Sequence, residues 1–310
     1  MRHSLRRRLL LLLIATLVAA VVVPAVSGWR LIAAYAALPR VEAAVERTIP
    51  LASGGITPAA SGQGIAVAPD GAIFVADLHG GRLLAYPAGT PASGVVLAGP
   101  PRGPLLRGWA IALTPDGSIA LLDASTGLVH FFTRSGELLR KAQLTDSGAR
   151  AMAIDAVGNI YVSQPDKGVR KFLPDDRPDS LWGDAATPGL AAFGEVVGLA
   201  AQPDALYVAL SGTRELAVLD SRGRLRERRR LMGLAGNLSI APDGSLYMSE
   251  FATARVWILD RSGGIQARVL GAGGDERLFF QPRGLAALRG NKLWVMNDSF
   301  LTLYSLRGSP

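Results

Sequence analysis

One pattern recurs along this 310-residue chain and limits its architecture more than any other feature. A short apolar run meets a polar turn, and a second apolar run follows that ends in an acid or amide in most copies. It stands as GIAVAPDGAIFVAD at 64–77, AIALTPDGSIALLD at 110–123 and AMAIDAVGNIYVSQ at 151–164. It returns as GLAAQPDALYVAL at 198–210, NLSIAPDGSLYMSE at 237–250 and GLAALRGNKLWVMND at 284–298. The turn glycines Gly71, Gly117, Gly158 and Gly244 set a period of about 43 residues, repeated six times. Pro-Asp-Gly between apolar runs is a turn with a mechanism: Pro presets φ, Asp bonds its own backbone, and Gly takes a positive φ.

Each unit continues alike. Third runs such as RLLAYPA, GLVHFFTRSGEL, RELAVLDSRGRL and ARVWILDRSGGI reach a turn containing Ser and Gly, and fourth runs such as ELLRKAQL and IQARVLG follow. Four short strands at this period read as the blades of an all-β, six-bladed β-propeller. The sixth unit ends after three strands. A spare strand, AVERTIPLA at 44–52, precedes the first unit and is expected to complete the last blade, which removes the open sheet edge. The expected organisation is therefore 1–28 as a signal anchor or signal peptide, 29–43 as a helical stalk, and 44–310 as the propeller.

The amino terminus carries Arg2, Arg6, Arg7 and Arg8 ahead of the uncharged run LLLLLIATLVAAVVVPAV at 9–26. That length suits a transmembrane helix more than the short apolar core of a cleaved signal. The arginines orient it with the chain beyond outside the cytoplasm. The expectation is a single-pass protein of the cytoplasmic membrane with its propeller on the periplasmic or extracellular side. Ala25-Val26-Ser27 keeps open the alternative of secretion after cleavage.

The formal net charge of +8 (33 Lys and Arg against 25 Asp and Glu) is partly this cluster. Without residues 1–28 the balance is 29 against 25, or +4. The one basic run, RGRLRERRR at 222–230, holds no aromatic residue, which argues against nucleic acid as a partner. Arg224, Arg226, Arg228 and Arg230 alternate and so share one face of an outer strand, read as a solvated edge that blocks sheet-to-sheet pairing. With 0 cysteines, disulfides, thiolate metal sites and Cys nucleophiles are excluded.

The stretches LFFQPRGLAAL…KLWVMND and GIAVAPDGAIFVADLHGGRLLAYPA closely resemble the NHL repeat, over about residues 60–306. The resemblance implies a six-bladed propeller and leaves function open, since the fold hosts binding scaffolds and enzymes. A neighbouring group, the gluconolactonases and strictosidine-synthase-like propellers, implies a lactonase with a divalent cation, such as calcium, held in the central funnel by one Glu, two Asn and one Asp. Here Gln63, Trp109, Asn237 and Arg283 stand at those places. Asn237 alone matches, and Arg283 would repel a cation. Glu195, Asn237 and Glu250 form an alternative metal set.

Residues just before the first strand and just after the second should gather at one end of the propeller axis. The candidate ligand-binding residues are Gln63, Asp77, Trp109, Asn237, Arg283 and Asp298. Glu195, Glu250 and His79 are the candidates for acid–base chemistry, against plain structural roles for a strand-end acid and a loop histidine. The reading is a monomeric, membrane-anchored binding scaffold for a protein, peptide or cell-envelope ligand. The enzyme alternatives are a lactone hydrolase or a strictosidine-synthase-like activity in the funnel.

Overall fold

The computed structural model describes residues 37–308 except 52–61, 79, 90–93, 100–105, 166–167, 184–194, 232, 251–252, 272–273, 276–278 and 280. The expected anchor at 1–28 and His79 lie outside the described residues. Among the described residues no helix is long and apolar enough to cross a membrane. Arg40–Pro310 form one compact unit.

The unit is built of antiparallel meanders. The first sheet is β2 (Gly62–Val67), β3 (Ile73–Asp77), β4 (Arg82–Tyr86) and β5 (Val95–Ala98). The second is β6 (Gly108–Leu113), β7 (Ile119–Asp123), β8 (Leu128–Phe132) and β9 (Leu138–Gln143). The third has three strands, β10 (Met152–Ile154), β11 (Ile160–Gln164) and β12 (Gly168–Phe172). The fourth is β13 (Val196–Gln202), β14 (Ala205–Leu210), β15 (Glu215–Asp220) and β16 (Leu225–Arg230).

The last sheet has eight strands. It joins β17 (Leu238–Ile240), β18 (Leu246–Glu250), β19 (Arg255–Leu259) and β20 (Ile265–Gly271) to β21 (Gly284–Leu288), β22 (Lys292–Met296) and β23 (Phe300–Arg307). The joint is β1 (Arg40–Pro50), which runs antiparallel to β23 from Glu42↔Arg307 to Pro50↔Phe300. Its first residues also pair in parallel with β20, from Arg40↔Arg268 to Ala43↔Gly271. The strand thus begins at Arg40, earlier than the 44–52 expected, and residues 40–43 are strand where a helical stalk was expected. The alternation of Val41 and Ala43 (buried) with Arg40 and Glu42 (exposed) explains this: period 2 is a strand pattern, and a sheet edge was there to receive it.

The third unit departs from four strands. Beyond β12 the chain makes a single bridge, Phe172↔Pro178, and a turn that seats Trp182 edge-on against Tyr161 with centroids 5.7 Å apart. Pro178 has no N–H to donate, so a ladder cannot continue through it.

Local chemistry sets the turns. Gly71, Gly117, Gly158 and Gly244 have φ of 90°, 84°, 94° and 91°, the left-handed region open to glycine. The preceding aspartates close the same turns. Asp70 Oδ1 accepts from the Ala72 amide at 3.1 Å, and Asp243 Oδ1 from the Ser245 amide at 2.9 Å. In the third unit, which lacks Pro-Asp-Gly, Asp155 Oδ1 accepts from the amides of Val157 and Asn159 at 3.0 and 2.9 Å.

The second strand of each unit is buried on both faces: β3, β7, β11, β14 and β18 throughout, and β22 from Leu293 to Met296. That is why these runs are apolar without alternation: each is covered by neighbouring sheets on both sides. One inter-sheet core joins Ile73, Val75, Leu84 and Tyr86 to Ile49, Trp294, Met296 and Leu301, so the start and end of the unit pack together.

Candidate functional site

Six innermost strands surround an axis. β2 touches β6, β6 touches β10, and so on through β13, β17 and β21, which touches β2 again. They enclose a channel of about 300 Å³ lined by small residues such as Ala66, Ala112 and Ala200 and by larger ones such as Ile65, Ile111 and Leu199.

At the end where these strands begin, the channel opens into a cup of about 250 Å³. Its wall is Trp109, Arg150, Val197, Ala235, Gly236, Asn237, Pro282 and Arg283. Arg150 and Asn237 line both cup and channel and so form the neck between them. Trp109, Asn237 and Arg283 are three of the residues expected there.

The backbone holds Arg150, Asn237 and Arg283 in place. The amides of Arg150 and Ala151 donate to Ser163 Oγ at 3.0 and 3.1 Å. The Asn237 amide donates to Ser249 Oγ at 2.9 Å, and the Arg283 amide to the Met296 carbonyl at 2.8 Å. Each anchor is a second-strand residue, so the well-buried second strands fix the cup.

The cup's charges are paired. Arg150 Nη1 meets Glu195 Oε1 at 2.7 Å, and the Arg150 guanidinium stacks over the Trp109 ring at 4.8 Å from its centroid. Arg283 forms an ion pair with Asp298: Nε lies beside Oδ1, and Nη2 donates to Oδ2 at 3.3 Å. Asn237 Nδ2 donates to the Arg283 carbonyl at 3.4 Å. The structure therefore brings Trp109, Glu195, Asn237, Arg283 and Asp298 to one place.

Other expected residues sit elsewhere. Asp77 is buried beneath the rim, where Oδ2 accepts from Arg82 Nε and Nη2 at 2.9 and 2.7 Å and Oδ1 from the Gly80 amide at 2.9 Å. Glu250 is 1% exposed; Oε2 accepts from Trp257 Nε1 at 3.1 Å, and a Cβ on Gly233 would overlap its carboxylate. Asp77 closes its loop and Glu250 is buried against Trp257 of β19, and neither lines the cup. Gln63 lies in β2, but its side chain is outside the described residues.

A funnel cation does not fit these donors. Of Glu195, Asn237 and Glu250, only Asn237 lines the cup, and Glu250 is buried away from it against Trp257. Among the described residues no three His, Cys, Asp or Glu side chains group to hold a metal ion. Two guanidinium groups at the neck and wall oppose a cation there.

Arg150 is the cup residue the sequence reading missed, and the repeat held the signal. Ile65, Ile111, Met152 and Leu285 occupy one register position, paired with Val75, Leu121, Val162 and Val295. Two residues earlier stand Gln63, Trp109, Arg150 and Arg283. Extending the position to the third unit points to Arg150.

No protein-family model matches the chain. No curated protein matches its sequence. Solved structures do match it. Virginiamycin B lyase from Staphylococcus aureus is 11% identical with a TM-score of 0.59, covering 86% of this chain and 98% of that one. A streptogramin B lyase is 12% identical with a TM-score of 0.62, covering 84% and 98%. A gluconolactonase from Xanthomonas campestris is 16% identical with a TM-score of 0.62, covering 85% and 98%. At such identities the likeness concerns the backbone alone: the chain has the propeller fold of these enzymes.

Proposed function

We propose that the chain is a six-bladed, NHL-type propeller that binds a ligand in its axial cup, held by its amino-terminal segment at the outer face of a cytoplasmic membrane. The eight-stranded sheet reads as two blades zipped together by β1, which makes six with the other four sheets. The observation that carries the binding reading is the cup itself. It has an aromatic face, an amide and two arginines set on anchored backbone around a cavity of about 250 Å³. Rigid strands presenting a few polar groups around a concavity is the common form of a small-ligand site.

The chain enters the sheets at Arg40, at the end of β23 remote from the cup, since Glu42 pairs with Arg307 and Pro50 with Phe300. The ligand is a peptide, a protein segment or a cell-envelope fragment. The test is titration of full-length protein in detergent with envelope-derived peptides and saccharide fragments, followed by melting temperature. Trp109→Ala and Asn237→Ala should each abolish the ligand-induced rise with the unliganded melting point unchanged. A rise that survives both substitutions places the ligand elsewhere.

A second reading is a funnel enzyme, favoured by the backbone match to a gluconolactonase over 85% of the chain. It is tested by aldonolactone hydrolysis with and without calcium. Calcium-dependent turnover would replace the binding reading, because the donor set described above gives no reason for it.

A further inference from the structure

Resting on the reading of the cup as a binding site, we infer that its ligand presents an oxyanion, a carboxylate or a phosphate, to Arg150 and Arg283 from the propeller axis. Glu195 acts as an exchangeable stand-in for that group, while Asp298 stays beside Arg283 and holds it in place.

The argument starts from placement. Around the ring of inner strands, β10 and β21 are three apart in either direction, so the segments just before them, which carry Arg150 and Arg283, stand on opposite sides of the axis. Two guanidinium groups facing one cavity from opposite walls suit a group with acceptor oxygens on both sides. Arginine is the residue whose planar donor fork fits carboxylate and phosphate oxygens.

The chain already shows what these arginines take. Each is engaged by a carboxylate of its own, and Arg283 holds Asp298 through two nitrogens. The Arg150–Glu195 pair is solvent-exposed, at 43% and 47%. Exposed pairs of this kind hold weakly, so a ligand oxyanion can displace Glu195 at little cost. Arg283–Asp298 is more covered, at 27% and 31%, which makes it the more persistent. Arg150 stays oriented when Glu195 leaves, because Trp109 supports its guanidinium from below and Ser163 fixes its backbone. The cavity of about 250 Å³ sets the scale: a small organic acid or the acidic end of a larger molecule.

The test is calorimetric titration of the full-length chain in detergent with four probes: glucuronate, glucose 6-phosphate, inorganic phosphate and glucose. The acids should bind at least tenfold more tightly than glucose, and more weakly as salt rises. Glucuronate against glucose 6-phosphate separates carboxylate from phosphate, and inorganic phosphate shows whether the sugar contributes. Arg150→Gln and Arg283→Gln should each lose at least tenfold, with melting temperatures unchanged. Arg150→Lys should recover only part of the loss, since it keeps the charge without the fork. Glu195→Gln should tighten binding by removing the competitor. Equal affinity for glucose, or a weakened Glu195→Gln, overturns the inference. If Trp109→Ala and Asn237→Ala remove binding while both arginine variants keep it, the cup stands and the oxyanion falls. If none of the four matters, the cup itself is the wrong site.

Discussion

At the scale of single residues, acids at or just beyond the end of a second strand are binding candidates by sequence, because they lie near the axis end. Asp298, two residues past β22, faces the cup arginine, but Asp77, the last residue of β3, turns into a buried ion pair with Arg82, at 0% and 6% side-chain exposure. The partner five residues on decides the outcome: β4 places Arg82 directly opposite Asp77. Arg82→Ala leaves that carboxylate buried without its cation. We expect a loss of about 3–5 kcal/mol, read by urea denaturation, because stranding one member of a buried pair costs far more than the pair itself contributes. Exchange of both residues for apolar ones of similar volume should be much milder, and an equally large loss there would argue against the desolvation account.

At the scale of elements, the outer turns and strands carry the acid dependence and the solubility. Asp220 and Asp260 close the turns between third and fourth strands. Burial pushes Asp220 up, but the amides of Arg224 and Arg222 and the Arg224 side chain outweigh it. Burial likewise raises Asp260, and Ser262 with the Gly264 amide brings it down. Both end below the ordinary aspartate value of 3.8. A depressed folded value means the stabilisation is complete above the unfolded value and disappears as pH falls through the folded one. The fold should therefore weaken on acidification below about pH 4. Asp260→Asn should be less stable at neutral pH and lose less between neutral and acid conditions, by urea denaturation at both. A parallel drop in the two proteins would remove Asp260 from the acid response.

The fourth strand β16 pairs with β15 on one side only. Its arginines are tied back to carboxylates of their own sheet: Arg228 to Glu215 at 2.7 Å, Arg224 to Asp220 at 2.8 Å. Such charges at an exposed edge keep it from templating another chain. Arg226→Val with Arg230→Val should leave the denaturation midpoint nearly unchanged and raise light scattering on incubation. A clear solution from that variant would show that β16 is protected by other means.

At the scale of the whole molecule, stability depends on β1. It is the fourth strand beside β23 and also an addition to β20, so it clamps two neighbouring sheets. Ile49, 2% exposed, sits in the core shared with Val75, Tyr86 and Leu301, where the end of the unit meets its beginning. Ile49→Ala should cost about 2–5 kcal/mol by loss of buried surface and the cavity left behind. A chain lacking residues 1–51 should lose its single cooperative transition. A synthetic peptide of residues 40–51 should restore it, since the edges of β20 and β23 remain as its template. Cooperative unfolding of the truncated chain without the peptide would mean the seal is dispensable.

The sequence alone determined the repeat, because a short polar turn interrupts each pair of apolar runs whatever surrounds it. It also marked the spare strand, since an unfinished last unit demands one. Local periodicity carries both kinds of information. What only the tertiary structure decided is where side chains meet. Nothing nearby in the chain brings Arg150 onto Trp109 and Glu195. Those three stand at the starts of different sheets, and their distances exist only once the inner strands have closed around the axis. The parallel addition of β1 to β20 has the same origin: it depends on which edge remains open after the neighbours have packed.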